Sequence, residues 1–298
     1  MKTTAAITIF CLLCLASASP AQEGRRRQHR GNRPPSTGPV YGKADDGTPL
    51  RWTVYPGAGP GPHPAVLVIH GGGFRREPNS QKTVRAAQDA AAAGFNAFLV
   101  EYRLASQRGL PGQTSSGRYP DQTNDLKIAV RAARKYPGGN GKVGAIGGSA
   151  GASHAVYLAA TGTPGDDRLD AAVALSGAYD FNDLAAQDRP GVRKIVASYV
   201  GSSDPAALKK ASPITYIDKQ TAPLYVIASD HEQMPPQQYT DLITKLEAVG
   251  DTDFRKLLRT DSHAHAFVNW PVVRERCLAF LKEKLEGNSA AAASGATP

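Results

Sequence analysis

Residues 144–155 read "GAIGGSAGASHA", four glycines and four alanines around Ser149, with Gly147 and Gly151 two positions either side of it. The segment before it, "KVGAIGG" (142–148), is apolar and β-like, and the segment after it has the small, continuous character of a helix. A sharp strand-to-helix turn strains its apex residue and crowds the positions two before and two after, where only very small side chains fit. Gly147 and Gly151 are therefore expected as steric requirements rather than as flexibility. Such a turn exposes the Ser149 hydroxyl and aims the free N–H groups of the following helix at it. The stretch contains no G-x-G-x-x-G, and no Gly-Lys-Ser/Thr follows a four-residue spacer, which sets dinucleotide and P-loop readings aside.

Working outward, the pattern alternates between strand-like and helix-like segments from about Val40 to Glu286. "VYGKADDGTPLRWTVYP" (40–56) reads as a hairpin turning at Asp45, Asp46 and Gly47. "AVLVIH" (65–70) is an apolar run of the kind that parallel strands show when both faces are covered. A helix is expected around 80–93, a strand over "FNAFLVEYRL" (95–104) and a helix around 121–135. Beyond the serine, "AAVALSGA" (171–178), "PLYVIAS" (223–229) and "FRKLLRT" (254–260) are expected strands, with helices near 236–248 and 271–285. This alternation predicts an α/β fold with an open, mostly parallel central sheet and helices on both faces. Ligands of such sheets bind at the carboxyl ends of the strands. At 298 residues and 41% hydrophobic content the chain can bury one large core, so a single domain over 40–286 is expected.

The ends read differently. "MKTTAAITIFCLLCLASASPAQ" carries one early charge, Lys2, then an apolar run from about Ile7 to Leu15, then small residues, which is the build of a secretory signal peptide (1–21) cleaved near Ala18 or Ala21. The apolar run is too short to cross a bilayer, and the residues before Cys14 lack the small side chain that a lipid-anchoring site needs. A secreted or periplasmic protein without a membrane span follows. Residues 22–39, "QEGRRRQHRGNRPPSTGP", read as a disordered basic arm; it supplies +4 of the formal net +9 and suits either a solvated spacer or weak contact with anionic envelope polymers. Residues 287–298 read as a low-complexity tail. Cys11 and Cys14 leave with the signal, so Cys277 has no internal partner; with Val273, Phe280 and Leu281 it falls on one helical face, as a buried structural thiol does.

A nucleophilic serine needs electrophilic help and a base. "HGGGF" (70–74) follows the first long strand and leaves successive backbone N–H groups without side-chain cover, the construction of an oxyanion hole completed by the N–H of Ala150. His29, His63, His70 and His154 follow no later strand, whereas His263 and His265 in "TDSHAHAF" (260–267) do, and the small Ala266 gives the His265 imidazole room to turn. The H-x-H spacing also suits a metal pair, but no further His or Cys stands nearby at ligand spacing, so neither metal nor cofactor is expected. An orienting carboxylate should come from "PLYVIASDHEQMPPQQ" (223–238), as Asp230 at the strand end or Glu232 deeper in the loop. Composition alone does not choose between them.

"HGGGF", "VEYRLA" (100–105), "YPDQTNDLKIAVRAAR" (119–134), "GGSAGAS" (147–153), "ASPITYI" (211–217) and "HAF" (265–267) occur in the order found in α/β-hydrolases. Over nearly all of 40–286 the chain resembles secreted esterases and lipases of that fold. It is most similar to the carbohydrate esterase group of feruloyl and acetylxylan esterases (BD-FAE-like), with the hormone-sensitive-lipase family related to it. The resemblance implies a lid inserted at about 180–216, a Ser149–His265–acid triad, and an oxyanion hole of Gly72, Gly73 and Ala150. It places the acid three residues after Ser229, at Glu232, where those families more often have aspartate; Ala152 stands where they usually have glycine. The implied activity is that of a secreted serine carboxylesterase acting on short-chain or aromatic acyl esters, polysaccharide-bound ones included. The lid segment shows no long apolar face for a lipid surface. An amide-cleaving formamidase or peptidase of the same fold, and a non-catalytic envelope-binding protein, are the alternatives. Nothing in the chain points to a nucleic-acid partner.

Overall fold

The computed structural model describes residues 38–76, 80–106, 109–186, 190–250 and 253–286. The expected signal peptide, all but the last two residues of the basic arm, and the tail lie outside the described residues. Strands β1 (Val40–Lys43) and β2 (Pro49–Tyr55) form the expected antiparallel hairpin. Its turn is held by Asp46, whose carboxylate accepts the Thr48 N–H at 3.0 Å, and by Gly47 at φ 83°. Next come β3 (His63–Ile69), α1 (Gln81–Ala92), β4 (Asn96–Val100), α2 (Asp121–Arg134), β5 (Gly139–Gly148) and α3 (Ala150–Ala160). β6 (Ala171–Leu175) leads to three short helices, α4 (Phe181–Ala186), α5 (Pro190–Val200) and α6 (Pro205–Ala211). β7 (Leu224–Ser229), α7 (Pro236–Ala248), β8 (Phe254–Arg259) and α8 (Trp270–Glu286) complete the order.

The sheet runs β1-β2-β4-β3-β5-β6-β7-β8, antiparallel through β2 and parallel from β4 onward. Its period-two alternation explains why the central strands read as unbroken apolar runs. In β3, Ala65, Leu67 and Ile69 join one core with Leu126 of α2, Leu158 of α3 and Leu242 of α7. The intervening Val66 and Val68 join a second core with Ala86 and Ala90 of α1 and Val273 and Phe280 of α8. Helices thus cover both faces, as an α/β-hydrolase fold requires. Cys277 is fully buried in the second core, where burial pushes its thiol pKa up and keeps it inert.

One expectation changes. The strand expected over 95–104 stops at Val100, because Arg103 turns inward instead of continuing the ladder. Its guanidinium, 1% exposed, lies against Asp125 at 2.8 Å and reaches Asp45 at 2.5 Å, tying the end of β4 to α2 and to the β1–β2 turn. The segment around 180–216 has a short apolar face, not a long one: Val192, Ile195, Val196 and Tyr199 recur at helical spacing on α5. That face turns inward, where Val196 and Tyr199 join Phe74, Ala150, Phe181 and Leu208 in a third small core.

Candidate active site

At the end of β5 the chain reverses into α3 through Ser149, which sits at φ 56°, ψ −121°. For a residue with a Cβ such a conformation costs about 1–3 kcal/mol, and the surroundings must impose it. A Cβ on Gly147 would stand 2.1 Å from the Gly151 carbonyl oxygen, and one on Gly151 would stand 2.1 Å from that of Ile69. The expected steric role of both glycines is met by backbone atoms, which cannot move aside as a side chain can. Gly71 meets the same limit, 2.8 Å from the Gly148 oxygen. Ser149 is further pinned by its N–H to Leu175 O at 2.9 Å. Ala150 opens α3, so its N–H belongs to the first turn, which lacks intrahelical acceptors.

The glycine turn follows β3 directly. Gly72 and Gly73 lie at φ 107° and 61°, and Phe74 is left-handed too at φ 63°. Sequence reasoning passed over what holds Phe74 there. Its carbonyl accepts the Gln122 side-chain amide at 2.7 Å and the Ala105 N–H at 2.8 Å, while its ring stacks on Tyr199 at 3.9 Å. Gln122 in turn meets His154 Nε2 at 2.9 Å; His154 is fully buried, and burial pulls its pKa down to about 3, so the neutral ring donates to the amide oxygen. His70 does not face a reacting group: its Nδ1 bonds the Gly71 carbonyl at 2.7 Å and its ring stacks on Tyr102 at 4.3 Å. No sequence signal sets Gln122 and His154 apart, since buried Thr123 and Asp125 share α2 with the first and buried Ser153 shares α3 with the second.

The two candidate carboxylates make different contacts. His265 Nδ1 bonds Glu232 Oε2, and the other carboxylate oxygen accepts the Ser229 N–H at 2.9 Å. The Glu232 side chain is 1% exposed and that of His265 17%, so the imidazole is the outer member of the pair. Asp230 takes a different position. Its two oxygens accept the N–H groups of Ser262 and Asp261 at 3.0 and 2.9 Å, and these bonds hold its carboxyl below the usual carboxylate range. It braces the turn before His265 and does not touch the imidazole. His263 bonds the His231 carbonyl at 2.8 Å and shapes the same loop. Asp230, His231 and Asp261 hold ligand-type atoms within 4.8 Å of one another, on the half-buried to exposed rim of these loops.

Two further residues fix the histidine loop. Ala266, left-handed at φ 51°, donates its N–H to Ser176 Oγ at 3.0 Å, at the end of β6. Asn269, fully buried, bonds the Ala264 carbonyl at 2.8 Å and lies 3.3 Å from Ser229 Oγ, linking the loop of His265 to the strand that carries Glu232.

Ser149, Ala150, Gly72, Gly73 and His265 line one cavity of about 710 Å³. Phe181, Leu184, Val192, Ile195 and Val196 from α4 and α5 form its apolar wall. Glu232 lies behind His265 and lines a small recess on the other side. The geometry thus brings together every residue expected at the site.

The fold is shared widely. An esterase from Thermogutta terrifontis aligns with a TM-score of 0.65 and 19% identity, over 86% of this chain and 95% of that one. An acetyl ester-xyloside bifunctional hydrolase from Caldicellulosiruptor lactoaceticus aligns with a TM-score of 0.66 and 16% identity, over 85% of this chain and 96% of that one. In sequence, Esterase LipC of Mycobacterium tuberculosis is 24% identical over 207 residues, 63% of this chain. The matched region spans about half, 49%, of that curated relative's length. Residues 54–246, from β2 through α7 and including the glycine turn, the elbow and Glu232, match the BD-FAE family, and the protein belongs to it.

Proposed function

We propose that the protein is a serine carboxylesterase in which Ser149 is the nucleophile, His265 the general base and Glu232 the residue that orients it. The observation carrying this reading is the Glu232–His265 hydrogen bond, with His265 on the wall of the cavity that also holds the strained Ser149. His265 accepts the hydroxyl proton through Nε2 as Ser149 Oγ attacks the ester carbonyl. Glu232 holds the Nδ1–H tautomer and stabilises the imidazolium that forms. The N–H groups of Gly72, Gly73 and Ala150 receive the developing oxyanion; one such donor is typically worth about a hundredfold or more in rate. Collapse of the tetrahedral intermediate passes the proton from His265 to the leaving alcohol, and water then repeats the attack on the acyl-enzyme.

The lid reading of 180–216 is supported by α4 and α5, whose side chains bound the cavity on its apolar side. An inward apolar face of about two turns suits short or aromatic acyl groups better than long chains. The relatives' printed activities, esterase and acetyl ester hydrolase, point the same way. Export by a signal peptide ending near residue 21 belongs to the same proposal, and N-terminal sequencing of the mature protein tests it. For the chemistry, wild type is expected to hydrolyse p-nitrophenyl acetate and to be labelled at Ser149 by a fluorophosphonate. Ser149→Ala should lose about 10⁴-fold or more in kcat while keeping its circular dichroism spectrum. Unchanged turnover in that variant would sink the proposal.

A further inference from the structure

The cavity has a second wall with the opposite character. Besides α4 and α5 it is lined by Arg75, Arg76 and Lys82 and by Ser80 and Ser106. No acidic residue lines this cavity among the described residues. Arg75 is half-buried, and its Nε is buried without a hydrogen-bond partner among the described residues. A buried charged donor in that state carries a desolvation cost that a bound acceptor relieves. Arg76 and Lys82 are exposed beside it, so three positive charges face the space that a bound ester occupies.

Nor does the cavity end there. Lys82 and Phe267 also line a second groove of about 550 Å³, walled by Gln81, Arg85 and Gln88 of α1 and by Trp270 and Pro271. Gln81, Lys82, Arg85 and Gln88 fall on one face of α1, at spacings of one, three and three residues. That face presents two cations flanked by two amides beside an aromatic edge, groups that suit a chain of charged, hydroxyl-rich units. A short acyl group needs neither charge nor length, whereas the alcohol of a polymeric ester has the length to follow a groove, and a cationic lining favours one that carries negative charge. Arg85 is partly satisfied by Asp89 at 2.9 Å, which leaves Arg75, Arg76 and Lys82 as the main sites of attraction.

We infer that the cavity lining of Arg75, Arg76 and Lys82, together with the groove over α1 that shares Lys82, is a subsite for the alcohol portion of the substrate, and that this alcohol is an anionic saccharide chain bearing carboxylates. The inference rests on the serine-esterase reading above and extends it to a substrate class. The acyl group lies under α4 and α5, and the carboxylates of the glycan meet Arg75, Arg76 and Lys82. The chain's formal net charge of +9 draws the same kind of polymer toward the protein.

The test compares acetylated oligogalacturonide with a neutral acetylated xylo-oligosaccharide of equal length. Wild type is expected to favour the acidic substrate by about tenfold or more in kcat/KM at low salt, a preference that shrinks as NaCl is raised to about 0.5 M. Arg76→Gln combined with Lys82→Gln should remove about tenfold of the acidic-to-neutral ratio. Unesterified oligogalacturonide should compete with p-nitrophenyl acetate in wild type and lose potency in the double variant. Equal turnover of both glycans overturns the inference and leaves the esterase reading standing; no turnover of either glycan or of p-nitrophenyl acetate overturns the esterase reading itself. A charge preference confined to the acyl side, with p-nitrophenyl hemisuccinate favoured over the butyrate and no difference between the glycans, also overturns it.

Discussion

The elbow at Ser149 and the loop at His265 both present one reactive side chain to the same cavity, yet they are built by opposite means. The elbow is local: Gly147, Ser149 and Gly151 lie within five consecutive residues, and the contacts that forbid larger side chains are with backbone of the same turn or of the adjacent β3. The histidine loop is assembled from distance. Glu232 is 33 residues away, Ser176 is 90 residues away, and Ser229 lies 40 residues from the Asn269 that ties its strand to this loop. Steric exclusion makes the first rigid at every pH and salt concentration. The second depends on a handful of hydrogen bonds, each worth about 0.5–1.5 kcal/mol net, or about 1.5–3 where a charge takes part. Mutation should therefore fail abruptly at the elbow and by degrees in the loop.

The largest expected effect tests the long-range side. Glu232→Gln keeps shape but supports the wrong imidazole tautomer, and kcat is expected to fall by about 10³–10⁴-fold with little change in melting temperature. Asp230→Asn is the control, with kcat close to wild type and a small loss of stability, since Asp230 only braces the turn. Reversal of those two outcomes would remove Glu232 from the site. Gly147→Ala attacks the elbow: a Cβ 2.1 Å from a carbonyl oxygen has nowhere to go, and denaturant unfolding should show a loss of about 4 kcal/mol or more, or no soluble protein. A mild effect would mean that the turn can relax, and the contrast between the two regions would soften.

Next in size is a pH effect on the helix behind the elbow. His154 has a pKa near 3 in the fold, against about 6.5 in an unfolded chain. As pH falls, the unfolded state takes up the proton first. The neutral histidine's contribution is thus complete above about pH 6.5 and is lost on the way down toward pH 3. Between pH 6.5 and 4, wild type should lose about 3 kcal/mol more stability than His154→Gln, as read by urea unfolding at each pH. Parallel curves for the two proteins would count against a buried neutral ring. The smallest expected effect returns to the loop. Asn269→Ala frees the Ala264 carbonyl and loosens the tether to Ser229, costing about 1–3 kcal/mol of stability and about tenfold in kcat, with KM little changed. A loss of stability with kcat intact would make Asn269 structural only.

How legible each part was follows from the same contrast. The hairpin at Asp46–Gly47, the apolar β3, the elbow and helices α1, α2, α7 and α8 were readable because period, turn residues and steric demand are properties of neighbours in the chain. The end of β4 was not, since Arg103 leaves the ladder for Asp125, 22 residues on in α2. The inward face of α5 was hidden in a segment of mixed polarity, and its partner Phe74 lies more than a hundred residues earlier.

By itself, then, the sequence determined the doubly covered parallel sheet and the steric frame of Ser149, because glycine spacing and apolar period act over a few residues, and it offered His265 as the candidate base. Only the tertiary structure put Glu232 against His265 and Asp230 against two backbone N–H groups, recruited Gln122, Ser176 and Asn269, and set Arg75, Arg76 and Lys82 on the lining of the cavity. Two carboxylates two residues apart are chemically equivalent in a sequence. They take different partners only when packing turns one toward an imidazole and the other toward two backbone N–H groups.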